Sequence, residues 1–150
     1  RKLGANLLLF YTNITRSSST VLTEQKNSIA DKIQYHDKIK SLAITAEAKL
    51  KNGDVDEIGH ILAKNWEIKK NLSSNITNPE IDTMYNNAMS TGASGAKISG
   101  AGGGGFLLVY CKREHQDKLR EVMKDYRDMS FMLEPHGSKI IFNYKRYDWK

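Results

Sequence analysis

Apolar positions along the chain change period several times, and the changes mark its elements. Leu3 to Tyr11 is a short apolar run that reads as a buried strand. Thr12 to Ser19 is a polar turn rich in hydroxyls, which suit local backbone bonds and helix capping. A helix is expected next, through Val21, Leu22, Ile29 and Ile33. A second runs from about Asp37 to Lys51, with Ile39, Leu42, Ala43, Ala46 and Leu50 on one face and Gly53 placed to end it. A third starts near Asp54 and carries Ile58, Ile61, Leu62, Ile68 and Leu72. Asn78-Pro79-Glu80 then signals a helix start: Asn caps, Pro fits the first helical position and Glu suits the dipole. That fourth helix bears Ile81, Met84, Tyr85 and Ala88, and Gly92 stops it.

The period then shortens. Ala96 to Ser99 is extended, a glycine-rich loop follows, and Phe106-Leu107-Leu108-Val109-Tyr110 reads as a strand. A helix from about His115 to Tyr126 places Leu119, Val122, Met123 and Tyr126 on one face. Ser130 to Glu134 and Lys139 to Tyr144 read as two last strands around the turn Glu134-Pro135-His136-Gly137. The order β-α-α-α-α-β-β-α-β-β predicts an α+β fold: a small antiparallel sheet with helices mainly on one face, and the glycine loop at a sheet edge. No internal repeat or linker divides the chain.

Composition narrows the class. At 150 residues and 39% hydrophobic, the chain is one domain's worth and can bury a real core. No apolar run approaches the length of a membrane span, and the start lacks the apolar stretch of a signal peptide. It also lacks an initiator Met, so a fragment or processed half is expected. The single cysteine, Cys111, ends an apolar run, reads as a small core residue and fits a reducing compartment. His36, His60, His115 and His136 are scattered, with no second histidine or cysteine at metal spacing, so no zinc is expected. The net charge of +6 favours anionic ligands. Basic residues are spread out, and no aromatics interleave with the pairs Lys112-Arg113 and Lys145-Arg146, which argues against a nucleic-acid binder.

The chemistry concentrates in Lys97-Ile98-Ser99-Gly100-Ala101-Gly102-Gly103-Gly104-Gly105-Phe106. Five of the eleven glycines lie within these six positions, 100 to 105. Bare backbone N–H groups in such a loop can form a concave nest for phosphate. Gly100-x-Gly102-x-x-Gly105 has dinucleotide-fold spacing, but a strand rather than a helix follows it. A Walker loop requires Gly-Lys-Ser/Thr, and Gly105 precedes Phe106. The HRD and DFG motifs that accompany a protein-kinase glycine loop are absent from the sequence.

This run resembles the third motif of the GHMP kinases. Leu8-Leu9-Phe10-Tyr11-Thr12-Asn13-Ile14-Thr15-Arg16-Ser17, Asn65 to Ser73 and Thr77-Asn78-Pro79-Glu80-Ile81-Asp82 resemble more closely the branch that acts on heptose 7-phosphates. The resemblance covers nearly the whole chain. It implies a ferredoxin-like C-terminal domain across residues 1–150 of an ATP- and Mg²⁺-dependent sugar kinase. It implies a substrate bearing a sugar phosphate, phosphorylated at its anomeric hydroxyl to feed nucleotide-activated heptose synthesis, and a cytoplasmic setting with neither nucleic acid nor membrane as partner. It also implies that the N-terminal domain, with its triphosphate-wrapping Ser-Ser-Ala loop and acidic residue, lies outside this chain, which alone is expected to transfer nothing. A fucose- or galactose-type kinase is the neighbouring alternative. A stand-alone small-molecule binding module is the alternative from another class.

On this reading Lys97, Gly100, Ala101, Gly102, Gly103, Gly104 and Gly105 form the phosphate side of an ATP site. Lys97 is equally a candidate for an exposed strand lysine. Arg16 can fork onto a substrate phosphate, with a surface arginine as the plain alternative. Ser17 can donate to the same group or cap a helix. Trp66 and Lys69, three apart on one helix, can offer a stacking face and a cation to a sugar phosphate, and Trp66 equally suits the core. Lys70 is expected to be solvated. Asp82 is explained by the helix dipole. No catalytic base and no metal ligand is nominated.

Overall fold

The computed structural model describes residues 2–15 and 18–142. Four strands form one antiparallel sheet: β1 (Leu7–Tyr11), β2 (Ala93–Ile98), β3 (Phe106–Cys111) and β4 (Arg127–Asp128), in the order β2-β3-β1-β4. The helices are α1 (Lys2–Ala5), α2 (Ser18–Asn27), α3 (Ile29–Lys51), α4 (Glu57–Lys69), α5 (Pro79–Ser90) and α6 (Arg113–Val122). The α+β class and the antiparallel sheet are as the pattern predicts. Among the described residues no helix is long and apolar enough to cross a membrane.

Alternation along the central strands builds the core. Leu8 and Phe10 of β1 pair with Val109 and Leu107 of β3, so all four share one face. Ala96 and Ile98 of β2 extend that face through their pairing with Val109 and Leu107. Ile81, Met84 and Ala88 recur on α5 at helical spacing and bury against it, with Leu119 and Met123 beside them. Asn78 caps α5 as expected, its side chain accepting from the Ile81 N–H at 2.9 Å.

The α4 helix lies along edge strand β2 at a distance only glycine permits. A Cβ on Gly95 would stand 1.8 Å from the Gly59 carbonyl oxygen. The register of β2 shifts between Ala93 and Gly95, opposite this contact. Near the start of α4, the Tyr110 hydroxyl donates to Asp56 at 2.6 Å and accepts from Asn6 at 2.9 Å. Lys2 completes the cluster on Asp56 at 2.9 Å.

Several boundaries differ from the sequence reading, among them the start of β2, at Ala93 rather than Ala96, and the start of α4, at Glu57 rather than near Asp54. The first strand starts at Leu7, because residues before Asn6 form the turn of α1 and the Asn6 N–H bonds to Leu3 O. The first helix breaks at Ser28, whose N–H and hydroxyl turn back onto the Glu24 and Gln25 carbonyls. Ile29 and Ile33 therefore belong to one 23-residue helix that runs on to Lys51. The sixth helix starts two residues early, at Arg113, and ends at Val122.

The largest difference lies after Asp128. The expected strands at Ser130–Glu134 and Lys139–Tyr144 are not found; positions 143 and 144 lie outside the described residues. The open edge of β1 is closed by Arg127–Asp128, with one further bond from the Met129 N–H to Leu9 O. Beyond that bond the chain leaves the sheet, and Met132, Ile140, Ile141 and Phe142 are exposed.

Candidate functional site

The glycine loop joins β2 to β3, and its ends are tied by the Ser99 N–H on Phe106 O at 2.9 Å. Gly100, Gly102, Gly103 and Gly105 hold φ of 76°, 110°, 77° and 86°, the left-handed region that side chains disfavour. Close approach adds a second requirement. A Cβ on Gly104 would stand 2.6 Å from Ile14 O, and one on Gly102 would meet Ile76 at 3.0–3.1 Å.

Three other segments grip this loop. From the β1 side, the Gly105 N–H donates to Ile14 O at 3.0 Å, while the backbone N–H and hydroxyl of Thr12 both donate to Gly105 O. From the α4–α5 connection, Ile76 O accepts from the Gly103 N–H at 2.7 Å. From the end of α4, Lys69 donates to Ile98 O at 3.3 Å and to the Gly100 carbonyl. Asn13 takes φ 58°, one of the few non-glycine side chains that tolerate it, and so lets the chain after β1 turn under the loop.

The division of backbone donors is informative. Gly103 and Gly105 spend theirs on the protein. The N–H groups of Gly100, Ala101, Gly102 and Gly104 make no hydrogen bond among the described residues. The loop overlooks a depression of ≈ 310 Å³, walled by Tyr11, Ile14, Thr15 and Ser99 opposite the glycines, with no carboxylate in its lining. Of these four residues, Ala101, Gly102 and Gly104 line the hollow, and unspent amides in a lining without carboxylates suit an anion. Lys97, on β2 just before the loop, is half-buried, and burial lowers its pKa. Among the described residues no three His, Cys, Asp or Glu side chains converge to hold a metal.

Lys69 and Trp66 prove to have other work. Lys69 is 8% exposed and its ammonium is committed to two carbonyls. Burial, followed by the nearby charge of Lys97, lowers its pKa to about 8. It braces the loop rather than reaching for a sugar. Trp66 is fully buried, with its ring 6.4 Å from that of Tyr85. No face of the indole is open to a ligand, so the stacking role is corrected to a core role. Lys70 is only half-exposed and pairs with Glu67 at 2.8 Å. Asp82 accepts from the Thr77 hydroxyl at 2.6 Å. Arg16 and Ser17 lie outside the described residues.

Sequence reasoning missed Ile14 and Ile76. Their contributions are backbone carbonyls, which carry no residue signature. Only the density of glycines hinted that other backbone must come close.

Comparison with known proteins agrees with this arrangement. Residues 46–128 match the family model for the GHMP kinases C terminal region. The D-glycero-alpha-D-manno-heptose 7-phosphate kinase of Campylobacter jejuni is 33% identical over 139 residues, covering 89% of this chain and 41% of that protein. The L-fucokinase/L-fucose-1-P guanylyltransferase of Bacteroides fragilis is 30% identical over 109 residues, 70% of this chain and 11% of that protein. The chain thus spans well under half the length of these relatives. The L. major mevalonate kinase, crystallised with R-mevalonate, shares the fold with a TM-score of 0.69 at 19% identity, over 79% of this chain and 37% of its own. On the family match and the heptose kinase likeness together, the chain belongs to the GHMP kinase family.

Proposed function

We propose that this chain is the C-terminal domain of an ATP-dependent sugar kinase that phosphorylates a heptose 7-phosphate at its anomeric hydroxyl. The observation that carries the reading is the set of unspent amides at Ala101, Gly102 and Gly104, which line a hollow without carboxylates among the described residues. The 33% identity to a heptose 7-phosphate kinase supports the choice of sugar.

Phosphoryl transfer asks a protein mainly for position and charge compensation. ATP supplies the phosphoryl group and Mg²⁺ offsets its charge. Within this chain, the N–H groups of Gly100, Ala101, Gly102 and Gly104 are the donors for phosphate oxygens. They act without reorganising, because Ile14, Ile76 and Lys69 already hold the loop. Lys97 adds positive charge beside them. Arg16, with Ser17, is the donor proposed for the phosphate of the sugar. The acid–base chemistry and most metal contacts fall to an N-terminal kinase domain, the proposed partner. Exposed Ile140, Ile141 and Phe142 offer apolar surface for such a contact.

The test is ADP release by the full-length polypeptide that carries this sequence, supplied with Mg-ATP and one sugar at a time. Heptose 7-phosphate is expected to stimulate turnover well above L-fucose and galactose. Stimulation by L-fucose or galactose instead would keep the kinase and change the sugar. No stimulation by any of the three, with tight ligand binding by residues 1–150 alone, would favour the binding module.

A further inference from the structure

We propose that Glu24, on α2 and outside the hollow, is a positioning residue for the glycine loop, acting through the Ser73–Ile76 segment. The proposal rests on the loop being the phosphate cradle.

The chain of contacts is continuous. Glu24 Oε1 accepts from the Ser74 N–H at 3.0 Å and from its hydroxyl at 3.2 Å. Oε2 accepts from the Ser73 hydroxyl at 2.6 Å and from Asn75 Nδ2 at 2.8 Å. One carboxylate therefore gathers four donors from three consecutive residues, 49 to 51 positions away in sequence. The next residue, Ile76, is fully buried. Its carbonyl holds the Gly103 N–H at 2.7 Å, and its side chain and backbone stand 3.0–3.1 Å from where a Cβ on Gly102 would be.

An ordinary surface glutamate has none of these properties. The turn it organises is short, and Lys32 ties the residue before it from the same helical arm, Nζ donating to Leu72 O at 3.2 Å. The bonds from Ser73 and Ser74 hold the carboxyl down to a pKa of about 2, so Glu24 is ionised throughout the physiological range. Without the carboxylate, Ser73, Ser74 and Asn75 lose their common acceptor. The segment that carries Ile76 then loses its tether to α2, and the Gly103 end of the loop loses support with it. The Gly105 end is held separately by Ile14 O and must stay in place.

That asymmetry supplies the test, made on the full-length protein. Residue-resolved amide exchange is measured for wild type, Glu24→Ala and Glu24→Gln, with Asp56→Asn as a control that weakens a remote polar cluster. Glu24→Ala is expected to speed exchange at Gly103 by about tenfold or more while leaving Gly105 within about twofold. Glu24→Gln, which keeps one acceptor oxygen, should give a smaller change in the same direction, and Asp56→Asn none. In turnover assays the KM for ATP should rise about tenfold in Glu24→Ala, with the KM for sugar little changed. A merely structural loss would instead lower the active fraction and hence kcat alone.

Unchanged Gly103 exchange in a folded Glu24→Ala or Glu24→Gln protein would overturn the proposal. So would equal acceleration at Gly103 and Gly105. Should no sugar be phosphorylated at all, the kinase reading fails while the exchange result still decides the role of Glu24.

Discussion

Substituting Gly95 by alanine tests the tightest glycine contact among the described residues. The added Cβ would lie 1.8 Å from Gly59 O, 2.7 Å from the Gly59 carbonyl carbon and 2.9 Å from the Ala63 nitrogen. All three obstacles are helix backbone, so no side chain can rotate away. Restoring ordinary carbon contact distances requires α4 and β2 to part by about 1.5 Å. Overpacking of this kind typically costs about 1–3 kcal/mol, and an obstacle made of helix backbone puts Gly95→Ala at the upper end, about 3 kcal/mol. For a chain of this length that lowers Tm by roughly 6–12 °C. Urea unfolding followed by far-UV circular dichroism reads the change as a lower midpoint at an unchanged slope. Gly59→Ala is the internal comparison. Its Cβ meets the Ser94 Cβ at 2.5 Å, but alanine gains about 1 kcal/mol of helix propensity, so the smaller loss is expected there. A Gly95→Ala protein as stable as wild type would refute the close approach of α4 to β2. With it would go the argument that α4 places Lys69 against the loop.

Three further outcomes are expected. Lys69 has its pKa lowered to about 8, by burial first and Lys97 second, against 10.5 when unfolded. The unfolded chain therefore binds more protons between pH 8 and 10.5, and stability should rise with pH across that window by up to about 3 kcal/mol. Lys69→Met should reduce the rise in urea titrations, leaving the smaller share that burial of Lys97 supplies, and a rise of undiminished size in the variant would count against the assignment. Trp66→Ala should cost about 3–5 kcal/mol, whereas Trp66→Phe should fold and keep the sugar KM of the wild type; a raised KM in a stable Trp66→Phe would restore the stacking role. Gly104→Ala drives a Cβ to 2.6 Å from Ile14 O and should weaken nucleotide binding by about tenfold or more, measured by calorimetry on the full-length protein. Unaltered binding would show that the loop is not the cradle.

Legibility from sequence followed the locality of each cause. Helix α5 was readable because its signals are local: Asn78 as cap, Pro79 in the first turn, Ile81, Met84 and Ala88 at helical spacing. The strands flanking the glycine loop were readable for the same reason. The two final strands were misread because Phe131, Leu133 and Ile140–Phe142 have strand composition, while the edge of β1 is taken by Arg127–Asp128; which segment takes that edge is not written in their own composition. The glycines announced the loop, yet its supports did not show. Ile14 and Ile76 act through carbonyls, and Glu24 acts through donors about fifty residues away. Trp66 and Lys69 were correctly placed on one face of one helix. Which way that face points is settled by β2 and the loop, not by the spacing of the two residues.

The pairing of β1 with β3 carries a cost in time. Leu7–Tyr11 meets Tyr110–Phe106, and Thr12 reaches Gly105 across 93 positions. During synthesis an apolar segment, Leu-Leu-Leu-Phe-Tyr, leaves the ribosome and waits for its partner strand. At about 5–20 residues per second, that wait lasts on the order of 5–20 seconds. Over that interval the segment is a ready template for aggregation, and a holdase that recognises short apolar stretches is the natural escort. Substitutions that slow elongation between residues 12 and 105 should therefore lower soluble yield without altering the stability of the finished domain.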